Sequence, residues 1–148
     1  EYTMGITTAM CTSFKQELLG GIHDLDTDSI KLALIKPSNS GTYGAATTNY
    51  SNVTGASDES SGTNYSAGGQ ALGSPSITVS GTTAMVDFAD EVFANVSTSA
   101  DGCIIYNAGK SNKAICVIDF GGTVTAVAGD LTIEFPAVGA STTIIRIA

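Results

Sequence analysis

The sequence predicts an all-β protein, a jelly-roll-like β-sandwich with one short N-terminal helix. Three observations carry that prediction. From residue 30 onward, short apolar segments recur at close, regular spacing. Polar turns rich in Gly, Ser and Asn separate them, and only one stretch, near the N-terminus, has helical signals. The 148 residues fit one domain, 1–148, with neither an internal repeat nor a linker.

The helix comes first. Ser13-Phe-Lys-Gln16 has the form of a capping box, Phe14, Glu17 and Leu18 continue the turn, and Gly20-Gly21 stops it after about two turns. Phe14 and Leu18 form an i, i+4 apolar pair that should lie on the core or on a neighbouring subunit. Asp24, Asp26 and Asp28 then occupy positions 1, 3 and 5 of a calcium-loop pattern. Ser29 stands where the turn glycine belongs and Ile35 where the bidentate carboxylate belongs. An acidic turn between helix and strand is the better account, with a bound cation the alternative.

Residues 30–35 alternate as a strand that ends at Lys36-Pro37. The segment 38–69 is rich in Ser, Thr, Gly, Asn and Tyr, and a structureless stretch of that length is uncommon inside a compact domain. It either hides short strands or forms a long arm that orders against a partner; the arm is the expectation. Ile77-Thr-Val79, the turn Ser80-Gly81 and residues 84–88 form a hairpin. Residues 92–96 read as a further strand. Residues 102–106 and 114–120 make the clearest hairpin, apolar on both faces, as in a sandwich interior or a subunit contact. Gly121-Gly122 is expected to turn the chain, residues 131–135 alternate, Pro136 ends them, and residues 143–147 close the protein. The total is about seven to nine short strands.

Composition excludes several classes of function. Charged residues are 14% of the chain, against ~25% in an ordinary soluble domain, and 35 residues are Ser or Thr. Six basic residues face 14 acidic ones, for a net charge of -8. The six, Lys15, Lys31, Lys36, Lys110, Lys113 and Arg146, form no run and no basic face, which argues against nucleic-acid or anionic-membrane partners. No apolar run reaches the ~18 residues a membrane-spanning helix requires. The chain begins at Glu1 without an initiator, which is compatible with a start at Met4 or with a removed leader.

Cys11, Cys103 and Cys116 are too few for a disulfide scaffold. A hairpin centred between Gly109 and Lys110 sets Cys103 opposite Cys116, at a Cβ separation slightly long for an unstrained bridge. Buried free thiols are the expectation. His23 is the only histidine, no zinc-ligand spacing occurs, and no Gly-x-Ser-x-Gly elbow marks a nucleophilic serine. Asp87 with Glu134 offers a carboxylate pair for glycoside hydrolysis, but the chain has no Trp to form a sugar platform. Gly121-Gly122 lacks the lysine of a phosphate loop. Asn49, Asn52, Asn64 and Asn95 head glycosylation sequons, which matter only on an exported or eukaryotic chain. The residues point to no enzyme, no cofactor and no metal.

Several stretches carry a resemblance: residues 6–19 (Ile6-Thr-Thr-Ala-Met-Cys-Thr-Ser-Phe-Lys-Gln-Glu-Leu-Leu19), Lys31-Leu-Ala-Leu-Ile35, Asn64-Tyr-Ser-Ala-Gly-Gly-Gln70 and Gly102-Cys-Ile-Ile-Tyr-Asn107. Val117-Ile-Asp-Phe-Gly-Gly122, Leu131-Thr-Ile-Glu-Phe-Pro136 and Ile144-Ile-Arg-Ile-Ala148 complete the set. In this order they resemble a group of small virion structural proteins of tailed bacteriophages, from about residue 5 to the end; Phe93 stands where that group often has Trp. The resemblance implies a virion protein assembled in the host cytoplasm. The expected role is a head decoration or cement protein, non-enzymatic, a homotrimer on the outer surface of the capsid, with the major capsid protein or other virion proteins as partners. A tail- or fibre-associated virion protein, and an exported glycan-binding or adhesin module, are the alternatives. The residues expected at subunit contacts are Phe14 and Leu18 on the helix and Tyr43, Tyr50 and Tyr65 on the arm, tyrosine being enriched at interfaces.

Overall fold

The computed structural model describes residues 5–148; a start at Met4 lies outside them. Strand makes up 47% of the chain and helix 11%, and the two larger sheets are antiparallel, which places the protein in the all-β class.

Strands β1 (Gly5–Ile6) and β2 (Ala9–Met10) lead into helix α1 (Thr12–Leu19). The Ser13 capping box does not form. Cys11 holds the N-cap position in extended conformation without a side-chain cap, and Ser13 Oγ is buried with no partner. Tertiary bonds anchor this end instead: the Cys11 N–H donates to the Ile115 carbonyl at 2.9 Å and the Thr12 N–H to that of Ala45 at 2.8 Å. At the other end, the Ile22 N–H reaches the Glu17 carbonyl at 3.0 Å and the Gly21 N–H that of Leu18 at 3.1 Å. This is a Schellman termination, and it requires the left-handed φ of 71° that Gly21 supplies.

Next come β3 (Ile30–Ile35), β4 (Thr42–Tyr43), a short helix α2 (Ser51–Gly55) and β5 (Gln70–Ala71). The hairpin of β6 (Ser76–Ser80) and β7 (Thr83–Asp87) follows, then β8 (Glu91–Asn107), β9 (Lys113–Ile133) and β10 (Ile145–Ile147). The five-stranded sheet runs β2-β9-β8-β3-β5, the three-stranded sheet β10-β7-β6, and β1 pairs with β4. Strand β3 lies inside the larger sheet, which explains why residues on both its faces are buried. One apolar core joins the elements. Leu32, Leu34, Ile104, Ile105 and Ile115 enter it from the larger sheet, Val86 and Ile145 from the smaller, and Phe14 from α1.

Three expectations are corrected here. The strands expected separately between residues 92 and 135 are two long ones, β8 and β9, paired along their length. Gly121-Gly122 does not turn the chain; Gly121 takes φ 76° within β9 and the strand continues. The ladder absorbs irregularities at register shifts that include Phe93/Val96 and Ala100/Gly102, with Asn95 (φ 50°) and Ala128 (φ 47°) in left-handed backbone. Second, Cys103 faces Ile118, and Cys116 faces Ile105. The hairpin closes on the pair Asn107–Lys113 around a 3-10 turn (Ala108–Lys110), and a further shift between Ile105 and Tyr106 moves the register again. Third, segment 38–69 is not a free arm. It carries β4, α2 and isolated bridges that join Ile35 to Glu59, Asn49 to Lys113 and Thr63 to Ser97, so it is folded over its own sheet.

Candidate interaction surface

The tyrosines of segment 38–69 turn inward because two acidic residues there need donors. Asp58 is fully buried, and its carboxylate accepts the Tyr43 hydroxyl at 2.6 Å and the N–H groups of Ser40 and Gly41 at 3.0 and 2.8 Å. Lys36 Nζ lies 3.4 Å away. Burial alone would raise its pKa, but these donors outweigh it and hold the carboxyl down to about 2. Glu59, next in sequence, accepts the hydroxyls of Tyr50 (2.5 Å) and Tyr65 (2.9 Å) and the Gly68 N–H (2.6 Å). The Tyr65 hydroxyl also accepts the Leu34 N–H of β3 at 2.9 Å. Tyr106 of β8 donates to the Gly68 carbonyl at 2.7 Å and stacks on Tyr50 with ring centroids 4.4 Å apart. Burial, reinforced by the adjacent carboxylates, pushes the phenols of Tyr43 and Tyr50 upward, so all remain donors.

Tyr43 is therefore spent inside the chain, and Tyr50 and Tyr65 pack half-buried against the same core. Phe14 is fully buried, 5.0 Å from the ring of His23. Leu18 is partly exposed and lines a surface groove.

His23 is tied up as well. Its Nε2 lies 2.8 Å from Glu17 Oε2 and its Nδ1 3.0 Å from Asn107 Nδ2, whose second hydrogen reaches Asp28 Oδ2 at 2.7 Å. With Asn107 donating to Nδ1, the imidazole proton sits on Nε2 and points at Glu17. Lys113 Nζ, 2.9 Å from the other Glu17 oxygen, completes the cluster. Against the opposing effect of burial, His23 and Lys113 lower the Glu17 pKa. Asp24 and Asp28 spend oxygens on the turn itself, accepting the backbone N–H groups of Asp26 and Asp24. Among the described residues no group of three or more His, Cys, Asp or Glu is arranged to hold a metal. Burial pushes all three thiols up, Cys11 to about 11, with the nearby Glu17 adding to the effect.

Exposed apolar surface gathers around the three-stranded sheet. Ile77, Val86 and Ile145 form one cross-strand row and Val79, Ala84 and Ile147 the next, on the face that enters the core at Val86 and Ile145 and leaves it at the exposed Ile77. Exposure rises along the second row, to 71% at Val79 and 53% at Ile147. A groove of about 450 Å³ separates this face from Leu18, Gly21 and Leu25; Leu19 of α1 is 92% exposed. On the far side of β10 a second groove, about 700 Å³, is lined by Met10, Ile118, Phe120, Leu131, Phe135 and Ile144.

No family model, curated protein or solved structure matches the chain. The residues expected at contacts were Phe14, Leu18, Tyr43, Tyr50 and Tyr65, and the exposed apolar residues Leu19, Ile77, Val79 and Ile147 were not among them. Their signal was present in Ile77-Thr-Val79, an alternating apolar segment flanked by serines. No helix of the described residues is long and apolar enough to cross a membrane.

Proposed function

We propose that the protein is a non-enzymatic virion structural protein that decorates and cements the outer surface of a bacteriophage head. The observation that carries this reading is the apolar surface at the rim of the three-stranded sheet, where Ile77, Val79 and Ile147 are exposed beside the groove that Leu18 lines, with a second apolar groove beyond β10. Contiguous apolar surface of this kind marks a protein-interaction site. A chain of net charge -8 suits the outside of a shell, away from the enclosed nucleic acid. The residues with chemical potential support the same reading: both ring nitrogens of His23 are engaged, and the three thiols are buried and protonated. The smaller sheet faces the larger across the shared core, as in a jelly-roll-like sandwich. Bound copies stabilise a shell by mass action, since each favours the assembled state.

Copy counting in purified particles by quantitative mass spectrometry tests the reading. Hundreds of copies per particle are expected of a head decoration protein. A few dozen or fewer assign the chain to the tail or fibres, and none at all removes it from the virion.

A further inference from the structure

We propose that two copies of the chain pair through strand β6, edge to edge about a two-fold axis at Thr78. Strand β6 ends the three-stranded sheet, and all five of its residues are exposed. The two-residue loop of the β6–β7 hairpin, with Gly81 at φ 60°, closes on Ser80 and Thr83. That geometry makes Ser80–Thr83, Thr78–Met85 and Ser76–Asp87 the hydrogen-bonded pairs. The N–H and C=O groups of Ile77 and Val79 therefore point away from β7, and among the described residues nothing accepts or donates to them. Natural edges are shielded by lysines, bulges or an internal proline. Here the β6–β7 register runs unbroken, and the nearest proline, Pro75, precedes the strand.

A second copy is the occupant that the charge distribution favours. From Ser60 to Val86 the chain has no Asp, Glu, Lys or Arg, although its net charge is -8. Two such chains repel wherever acidic surfaces meet, and the β6–β7 hairpin lets them approach without setting like charges face to face. The edge is also complementary to itself. Antiparallel pairing about Thr78 sets Ile77 of each copy opposite Val79 of the other, and their outward groups form about four backbone hydrogen bonds. It also joins the two apolar rows of one copy to those of the other across a continuous six-stranded sheet. A two-fold contact of this type closes at two copies. The inference stands apart from the virion reading, because the purified chain alone tests it.

Sedimentation equilibrium across a concentration series should give a species of twice the 15.0 kDa chain mass. Val79→Lys places a charge on the shared edge, and Val79→Pro removes an outward N–H while sparing the β7 ladder. Each should weaken association by roughly 100-fold or more. Thr78→Cys gives a second test that does not depend on those variants folding. The two Thr78 residues face each other in a non-hydrogen-bonded pair, where Cα atoms are ~4.5 Å apart, within disulfide range. Because the native thiols are buried, mild oxidation should produce a covalent dimer from Thr78→Cys and none from the exposed control Ser51→Cys. A monomer at all concentrations, a trimer, equal cross-linking by both cysteine variants, or a dimer insensitive to folded Val79→Lys would each overturn the proposal.

Discussion

Replacing Asp58 by Asn should destabilise the folded chain at neutral pH and remove one component of its acid sensitivity. Asp58 is fully buried and accepts from Ser40, Gly41 and Tyr43, with Lys36 3.4 Å away. The Asn side chain has the same shape but only one acceptor oxygen, and its NH₂ must face a group that is itself a donor. Hydrogen bonds to a charged acceptor are worth ~1.5–3 kcal/mol each, so the substitution should cost about 3 kcal/mol. In a domain of this size that corresponds to a melting-temperature drop of roughly 6–12 °C. The pH dependence has a definite sign. The folded-state pKa of about 2 lies below the ~3.9 of an unfolded Asp. Its contribution is therefore complete above about pH 5 and is lost as pH falls toward 2, roughly 2–3 kcal/mol in all. Urea titrations of both proteins between pH 7 and pH 3, followed by circular dichroism, measure the effect. The wild type should lose stability faster than Asp58→Asn as pH falls, so that the two curves converge. A variant within 0.5 kcal/mol of wild type at pH 7, with a parallel pH profile, would refute the claim that segment 38–69 is fastened by this carboxylate.

Tyr65→Phe should cost about 1–3 kcal/mol in the same titration, because the Leu34 N–H loses its only side-chain acceptor; a residue serving only as an external contact would leave stability unchanged. Phe14→Ala should cost about 3–5 kcal/mol, whereas Leu19→Ser, at 92% exposure, should stay within about 0.5 kcal/mol. Thiol titration at pH 8 should detect no reactive cysteine in the native protein and all three after unfolding, and rapid native labelling would contradict their burial.

What the sequence made legible was local. Residues 30–35 stand as β3, and Ile77-Thr-Val79 with residues 84–88 stand as the β6–β7 hairpin, because alternation over a few residues is a short-range signal. The long strands were hidden by their own irregularities. Gly121, Asn95 and Ala128 adopt left-handed backbone inside a continuing ladder, and on paper a glycine pair within a strand looks the same as a turn. Cys103 is displaced from Cys116 by where the hairpin closes, on Asn107–Lys113, and by the register shift between Ile105 and Tyr106. Segment 38–69 was misread for a different reason. Its polar, hydroxyl-rich sequence has no apolar periodicity, and what folds it is the pairing of Asp58 and Glu59 with tyrosines up to 15 residues away. Such pairing depends on tertiary placement, and composition does not encode it. Tyrosine's preference for interfaces pointed outward, while the buried Asp58 and the half-buried Glu59 drew the hydroxyls in. The apolar residues Ile77, Val79 and Ile147 of the three-stranded sheet and Leu19 of α1 stay exposed.

The proposed function puts many copies of the chain on the outside of a phage head, held there by apolar surface. A map of the intact particle at a resolution that distinguishes β-sheets tests it most directly. The expected result is density for this fold on the outer capsid surface at the junctions between capsid subunits, with the three-stranded sheet or the groove beyond β10 turned toward a neighbour. Density confined to the tail or fibres, or copies on the head that face solvent through both apolar surfaces, would contradict it.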